Sequence, residues 1–268
     1  MGSCSTTKKK LDELQNFFKD KEKVLVAFSG GVDSSVVTAI ANMHSDTIAV
    51  TVNSIIFPPW ELDNSKKIAE EIGVKHIIIQ TNELGRSVAE NNTKRCYYCK
   101  KELISLFKKI AEKESRIIVD GTNVDDMKSY RPGALALKEG DLYSPLAIVG
   151  LKKGEVREIA IHLGLSNADK PSMACLASRF PYGQNLTHES IERVAKAEKY
   201  IMDLLKVRQI RVRNHSNIAR IELESKERKL LYNEDLMDKI VNELKYLGFD
   251  YVTIDLQGYR SGSMDEVL

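Results

Sequence analysis

The sequence predicts a doubly wound α/β fold built on a parallel sheet, followed by a smaller α+β domain. Three observations carry that reading. Short apolar runs without alternation, at residues 23–28, 47–52, 76–79 and 116–120, take turns with amphipathic helical stretches. Such runs suit strands buried on both faces, and regular strand–helix alternation calls for a parallel sheet covered on both sides. A glycine-rich turn separates the first strand from the helix after it. Beyond about residue 185 the pattern changes to alternating strands and long helices.

Each element has its own signal. Residues 11–20 read as a short helix leading in, after an unstructured start. Residues 23–28 (KVLVAF) form the first strand, and 34–43 the helix behind the glycine turn. The second strand is 47–52 (TIAVTV), and the helix 61–72 stops at Gly73, a C-cap glycine. Residues 76–79 give a third strand, and 94–113 a long helix with Cys96 and Cys99 in its first turn. The fourth strand, 116–120 (RIIVD), runs into Gly121, Thr122 and Asn123. A helix then covers 188–205. The alternating segments 210–213 and 218–223 read as an antiparallel hairpin. A helix at 226–247 ends at Gly248, and 250–256 is a last strand. The expected domains are 1–184 and 185–268, with 181–184 as hinge.

Composition narrows the class. A chain of 268 residues with 43% hydrophobic and 29% charged residues can bury a core without staples. With no apolar run near ~20 residues, no membrane span is expected. The start, Met1-Gly2-Ser3-Cys4, lacks the apolar stretch of a signal peptide, so the expected compartment is the cytoplasm. Met-Gly-x-x-x-Thr ending at Thr6 also fits a myristoylation pattern, though a plain N-terminal lead explains it as well. The net charge of +2 is nearly balanced, which speaks against a general nucleic-acid binder. The five histidines are scattered and read as structural or surface residues.

The turn is Ser29-Gly30-Gly31-Val32-Asp33-Ser34-Ser35. Its glycines permit close backbone approach, the following helix offers free N–H groups to an anion, and three hydroxyls can donate to phosphate. No Gly-Lys-Ser/Thr follows, so it is no Walker loop, and adjacent glycines exclude the dinucleotide fingerprint. The segment resembles the signature of the PP-loop ATPases, whose fold is that of the adenine nucleotide alpha hydrolases. That resemblance implies that residues 29–35 hold the β and γ phosphates of ATP while a substrate attacks the α phosphate. It further implies Mg²⁺ near Asp33. Adenosine would lie beside Ala27, Phe28, Val52, Asn53 and Ser54, and a second nucleotide segment would comprise Gly121, Thr122, Asn123 and Asp126. Asp125 and Asp126 fit equally well as caps of the next helix.

Of the four cysteines, Cys96 and Cys99 form a C-x-x-C, and Cys175 lies in Lys170-Pro171-Ser172-Met173-Ala174-Cys175. In a reducing compartment disulfides are not expected. Three thiolates can hold a [4Fe–4S] cluster with one iron open, or zinc with Cys4 as fourth ligand, or no metal. SGGVDSS at 29–35, RCYYCK at 95–100, GTNVDD at 121–126, KPSMACLASRFPYG at 170–183 and GYRSG at 258–262 together resemble the LarE family of ATP-dependent sulfur transferases, over nearly the whole chain.

The LarE resemblance implies adenylylation of the carboxylates of a pyridinium dicarboxylate mononucleotide. Replacement of AMP by sulfur follows, on the way to the nickel-pincer cofactor of lactate racemase. It makes 1–184 the PP-loop ATP-binding domain and 185–268 the sulfur-transfer and substrate domain. One branch of the family sacrifices a cysteine at the position of Cys175. The three-cysteine branch, which this chain resembles, carries a [4Fe–4S] cluster on residues matching Cys96, Cys99 and Cys175 and takes sulfur from a sulfide source. The expected chemistry falls to Cys175, Asp33, Lys100 (one turn past Cys96) and Arg179. Arg211, Arg213 and Arg260 are the candidates for the substrate phosphate, since bidentate arginine suits it. For Arg211 and Arg213 a solvated edge-strand face is the competing reading. No nucleic acid and no membrane are expected as partners. Homo-oligomers are common among such enzymes, and the sequence holds no interface argument. Thiolation of tRNA, amidation of the NAD synthetase type, and nucleotide sensing without turnover are the alternative functions.

Overall fold

A computed structural model describes residues 2–128, 132–260 and 262–266, with the side chains of 2–5, 128, 132 and 134 outside that description. The side chain of Cys4 and the whole of Ser261 in the GYRSG segment therefore lie outside the described residues. In chain order the elements are α1 (Gly2–Lys19), β1 (Lys23–Ala27), α2 (Val32–His44), β2 (Asp46–Ser54), α3 (Pro59–Ile72), β3 (Lys75–Thr81), α4 (Arg86–Ala89), α5 (Arg95–Glu114), β4 (Ile117–Val119), α6 (Val124–Lys128), α7 (Pro132–Glu139), α8 (Pro145–Ile148), α9 (Lys153–His162), α10 (His188–Leu205), β5 (Ile210–His215), β6 (Ile218–Leu223), α11 (Glu234–Tyr246) and β7 (Tyr251–Ile254).

The chain divides into two compact units. The first comprises residues 1–54, 59–85 and 94–172; the second comprises 55–58, 86–93 and 173–268. Among the described residues no helix is long and apolar enough to cross a membrane.

In the first unit the sheet order is β3-β2-β1-β4, all parallel. The apolar run of β1 is explained by burial on both faces. Val24 and Val26 join the core with Leu14, Phe18, Val36, Ile40 and Ile159. Leu25 faces the other way, onto Ile48, Val50, Phe107 and Ala111. Order 3-2-1-4 makes the chain leave β1 toward β2 on one side and return to β4 on the other. That switch opens a crevice at the carboxyl ends of β1 and β4, where open α/β sheets bind ligands.

The leading helix begins at Gly2, not near residue 11 as the sequence suggested. Leu14 and Phe18 anchor it in the core, Thr7 donates to Glu158 at 3.0 Å, and Lys10 to Glu155 at 2.6 Å. With no breaker before Leu11, the helix runs back from that anchor.

In the second unit β5 and β6 form the expected antiparallel hairpin, and β7 adds to β6 in parallel. A parallel neighbour needs a crossover, which α11 supplies. The helix expected at 226–247 is interrupted. A 3-10 turn spans Arg228–Leu231, and Asn233 caps a new helix by accepting from Leu236 N–H at 3.0 Å. An asparagine side chain competes with the helical ladder, which is why it starts a helix rather than continuing one.

Segments 55–58 and 86–93 are sewn into this unit by backbone bonds. Leu176 N–H donates to Ile56 at 2.7 Å, and Gly183 N–H to Asn91 at 2.9 Å. The fully buried Asn91 side chain donates to the carbonyls of Pro181 and Gln184 at 2.8 and 3.0 Å, so the stretch 181–184 is fastened down.

Candidate active site

The loop 29–35, expected to hold phosphate, follows β1 directly, with Phe28 continuing the ladder: its N–H donates to Val50 at 2.9 Å. The chain then turns at Gly30, whose φ of 69° is left-handed. A Cβ there would lie 2.8 Å from Ser65 Cα, so both conformation and space demand glycine. Gly31 is the N-cap of α2 and offers no side chain to cap it. The first N–H groups of that helix are thus left for a ligand.

The loop's hydroxyls hold its shape. Ser34 Oγ and Ser35 Oγ donate to the Gly31 carbonyl at 3.0 and 2.9 Å, and Gly31 N–H donates to Ser29 Oγ at 3.3 Å. Val32 contributes only its backbone, for its side chain is in the core.

β4 delivers the segment 120–126, expected to meet the nucleotide, against the same helix end. A Cβ on Gly121 would lie 2.7 Å from Ser34 N. Asp120 orders the turn by accepting from Thr122 N–H, Thr122 Oγ1 and Ser144 Oγ at 3.0, 2.7 and 2.7 Å. The cap of α6 is Asn123, not the aspartates: its Oδ1 accepts from Asp125 and Asp126 N–H at 2.9 and 3.1 Å. Asp126 reaches back to Asn123 N–H at 3.4 Å, and Asp125 accepts from Lys153 N–H at 2.9 Å.

Asp33 sits at the centre of this cluster. Its carboxylate accepts from Asn123 Nδ2 at 3.2 Å and pairs with the Lys153 ammonium. Sequence reading missed Lys153, which is 120 residues from Asp33 and opens α9 in no recognisable motif.

Residues expected beside adenosine line the carboxyl ends of β1 and β2. Ala27 pairs with Val50, while Phe28, Val52 and Ser54 are buried. Asn53 donates to Gln80 Oε1 at 2.7 Å. Thr51 Oγ1 donates to the Phe28 carbonyl and accepts from His76 Nε2, both at 2.8 Å, which makes His76 a structural neighbour.

Cys96 and Cys99 are half-buried thiols in the first turn of α5, on one helix face. Arg95 is buried and its guanidinium approaches Cys96 Sγ at 3.9 Å. Lys100 is exposed one turn past Cys96. Among the described residues no group of three or more His, Cys, Asp or Glu side chains is arranged to hold a metal ion. The cysteine pair belongs to the first unit and Cys175 to the second.

Cys175 caps a 3-10 turn, Leu176–Arg179, and its thiol is half-buried. Its carbonyl accepts from Ser178 Oγ at 2.8 Å and from Arg179 at 2.9 Å. Arg179, expected to act in the reaction, is fully buried instead. It grips both Glu198 oxygens at 2.8 Å and the Ala174 carbonyl at 2.8 Å. Burial opposes its charge, but Glu198 outweighs burial and raises its pKa further. Arg179 thus braces the Cys175 turn from within.

The arginines of β5 are buried too, against the solvated-edge reading. Arg213 donates to Glu222 at 2.7 Å, Ser263 Oγ at 3.0 Å and the Ser178 carbonyl at 2.9 Å. Arg211, 1% exposed, donates to the Ile210 carbonyl at 2.7 Å and lies 5.1 Å above the Tyr259 ring. No carboxylate among the described residues pairs with it, and one guanidinium nitrogen has no partner. Burial and the charge of Arg179 push its pKa down. Arg260 stands apart: Glu266 holds it at 3.0 and 3.1 Å. Cys175, Arg179, Arg211 and Arg213 are therefore brought together, around the buried Glu198 and Glu222 that sequence reading missed.

A switch-point crevice carrying a glycine-serine anion loop defines an ATP-using enzyme of the PP-loop class. Residues 15–90 match the asparagine synthase family model. An uncharacterized protein of Synechocystis sp. is 40% identical over 97% of this chain and 98% of its own length. Pyridinium-3,5-bisthiocarboxylic acid mononucleotide synthase of Lactiplantibacillus plantarum is 39% identical over 93% of this chain and 91% of its own. An uncharacterized protein of Methanocaldococcus jannaschii is 31% identical over 94% and 98%. The chain belongs to the family of the pyridinium-3,5-bisthiocarboxylic acid mononucleotide synthase, the LarE family.

Proposed function

We propose that this enzyme converts carboxylates of a pyridinium dicarboxylate mononucleotide to thiocarboxylates at the expense of ATP, for nickel-pincer cofactor synthesis. One observation carries the reading: a half-buried thiol, Cys175, stands on a turn braced by Arg179, and the same unit holds Arg211, a buried cation that no carboxylate among the described residues pairs with directly. A substrate bearing a phosphate would supply the missing negative charge next to a sulfur nucleophile.

In this reading residues 29–35 grip the pyrophosphate part of ATP, and Asp33 would hold a Mg²⁺ ion, whose charge would offset that of the leaving group. With a metal at Asp33, the Lys153 ammonium that now pairs with it would be released to meet the phosphates. A carboxylate oxygen of the substrate attacks the α phosphorus, and pyrophosphate leaves with its charge held by the loop. A sulfur nucleophile attacks the acyl carbon of the adenylate; the carbon–oxygen bond breaks and AMP departs. Of the two buried arginines of β5, Arg211 is the candidate anchor for the substrate phosphate, since Glu222 already neutralises Arg213; the phosphate would have to displace the cover that leaves Arg211 1% exposed. Arg260 could join Arg211 only by leaving Glu266.

The finer proposal concerns the sulfur. Cys96 and Cys99 form a two-thiol fragment on α5, and a [4Fe–4S] cluster would need Cys175 as third ligand; such a cluster would supply an iron able to carry sulfide. The alternative donor is Cys175 itself, left as dehydroalanine. We place the enzyme in the reducing cytoplasm, with a sulfide source as partner, and assign ATP binding to 1–184 and substrate binding to 185–268. Amidation would leave the arginine–thiol cluster unused.

The test is anaerobic turnover with Mg-ATP, the mononucleotide and sulfide. Release of AMP and pyrophosphate with an oxygen-to-sulfur mass change in the substrate is expected. Release without sulfur in the product would refute it. Iron and sulfide counts, with single-turnover mass analysis of Cys175, separate the two sulfur sources.

A further inference from the structure

We infer that Asn64 and Asn167 are positioning residues for the phosphate loop, holding the Gly30 carbonyl back so that the amides beyond it face the pyrophosphate of ATP. The inference rests on the reading of residues 29–35 as the pyrophosphate grip.

Asn64, on α3, donates from Nδ2 to the Gly30 carbonyl at 2.9 Å. Asn167, beyond the end of α9, donates from Nδ2 to the same carbonyl at 3.0 Å and to Ser35 Oγ at 2.9 Å. Ser35 passes the constraint on, since its hydroxyl donates to the Gly31 carbonyl at 2.9 Å. Two consecutive carbonyls are thereby pinned behind the loop.

A trans peptide points its C=O and its N–H in opposite directions. Pinning the carbonyls of residues 30 and 31 therefore turns the N–H groups of Gly31 and Val32 the other way, as an anion-binding nest requires. Gly31 N–H rests on Ser29 Oγ at 3.3 Å, a long bond that a phosphate oxygen readily replaces. The left-handed turn at Gly30 makes the need greater, because a glycine peptide left unheld samples many orientations.

Asn167 carries a second sign of selection for its donors. It is 4% exposed, both its N–H donors are used, and its Oδ1 has no partner among the described residues. An idle buried acceptor is a cost that the two donated bonds must outweigh. The assignment of nitrogen and oxygen follows from the Gly30 carbonyl, which can only accept. Neither asparagine lies near the loop in sequence, at separations of 34 and 137 residues.

The experiment is calorimetric titration of wild type, Asn64→Ala, Asn167→Ala and Asn64→Gln with Mg-ATP, Mg-pyrophosphate and AMP. Each alanine variant should bind ATP and pyrophosphate about tenfold more weakly, the size of one well-placed hydrogen bond, and bind AMP within about twofold of wild type. The KM for ATP should rise, and Asn64→Gln, which keeps the donor, should recover part of the loss. Asn64 is only half-buried, so its variants serve even if Asn167→Ala does not fold. Folded variants with unchanged pyrophosphate affinity, or with AMP weakened equally, would overturn the inference alone. A wild-type protein that ignores pyrophosphate would overturn the loop reading and this inference with it.

Discussion

Replacing Arg211 by methionine should stabilise the protein and abolish its grip on a phosphate-bearing substrate. The guanidinium is 1% exposed, with one donated bond to the Ile210 carbonyl and a ring contact to Tyr259 at 5.1 Å. A charge-assisted bond contributes ~1.5–3 kcal/mol and a desolvated cation–π contact ~2 kcal/mol. Against these stand several kcal/mol for removing the ion from water and ~1–3 kcal/mol for the nitrogen without a partner. Glu198 offsets little, since it already holds Arg179. The balance is a deficit of ~1–2 kcal/mol, or roughly 2–8 °C in thermal midpoint for a chain of this size. Methionine fills nearly the same volume with no charge. Differential scanning calorimetry in phosphate-free buffer should show the rise, and inorganic phosphate should raise the midpoint of wild type but not of Arg211→Met. A variant that melts below wild type without phosphate would show that the fold itself compensates this cation, and the anion-site argument would fail.

Glu198→Gln should act oppositely, losing ~3–5 kcal/mol because Arg179 loses the carboxylate that grips it and is left charged in the interior, as urea titration will measure. Gly121→Ala should destabilise the first unit by ~1–3 kcal/mol and weaken ATP affinity, because the added methyl would lie 2.7 Å from Ser34 N and force the backbone to shift; an unchanged melting midpoint and KM for ATP would contradict the close approach. Lys153→Met should raise the ATP concentration needed for half-maximal rate, because a cation for the phosphates is lost, and lower the Mg²⁺ concentration needed, because no ammonium then competes for Asp33, with substrate KM unmoved. His76 and His215 have pKa values lowered chiefly by burial, and next by Lys66 and by Arg220 respectively. Both bind protons better unfolded, so their contribution is whole above the ordinary histidine value of ~6.5 and drains away as pH falls through the lowered values. Stability measured from pH 8 to 5 should decline on the acid side, and His76→Gln should flatten that decline.

Much of the first unit was legible in the residue order, because burial on two faces, helix periodicity and glycine at a left-handed turn are local properties of the chain. The strands 23–28, 47–52, 76–79 and 116–120, the loop at 29–35 and the C-x-x-C on a helix start could be read without coordinates. What only the tertiary structure decided depends on partners distant in sequence. The alternation of Ile210, Arg211, Val212 and Arg213 reads as a half-solvated edge, yet both arginines are buried: Arg213 meets Glu222 from β6, and Arg211 lies against the Tyr259 ring. The helix expected at 226–247 breaks at Asn233, where capping outcompetes continuity. Asp33 meets Lys153, and Gly30 meets Asn64 and Asn167, across separations that no local pattern records. Periodicity tells which face of an element avoids water. It does not tell which charge will be waiting on the other side, for that is set by how the elements close over one another.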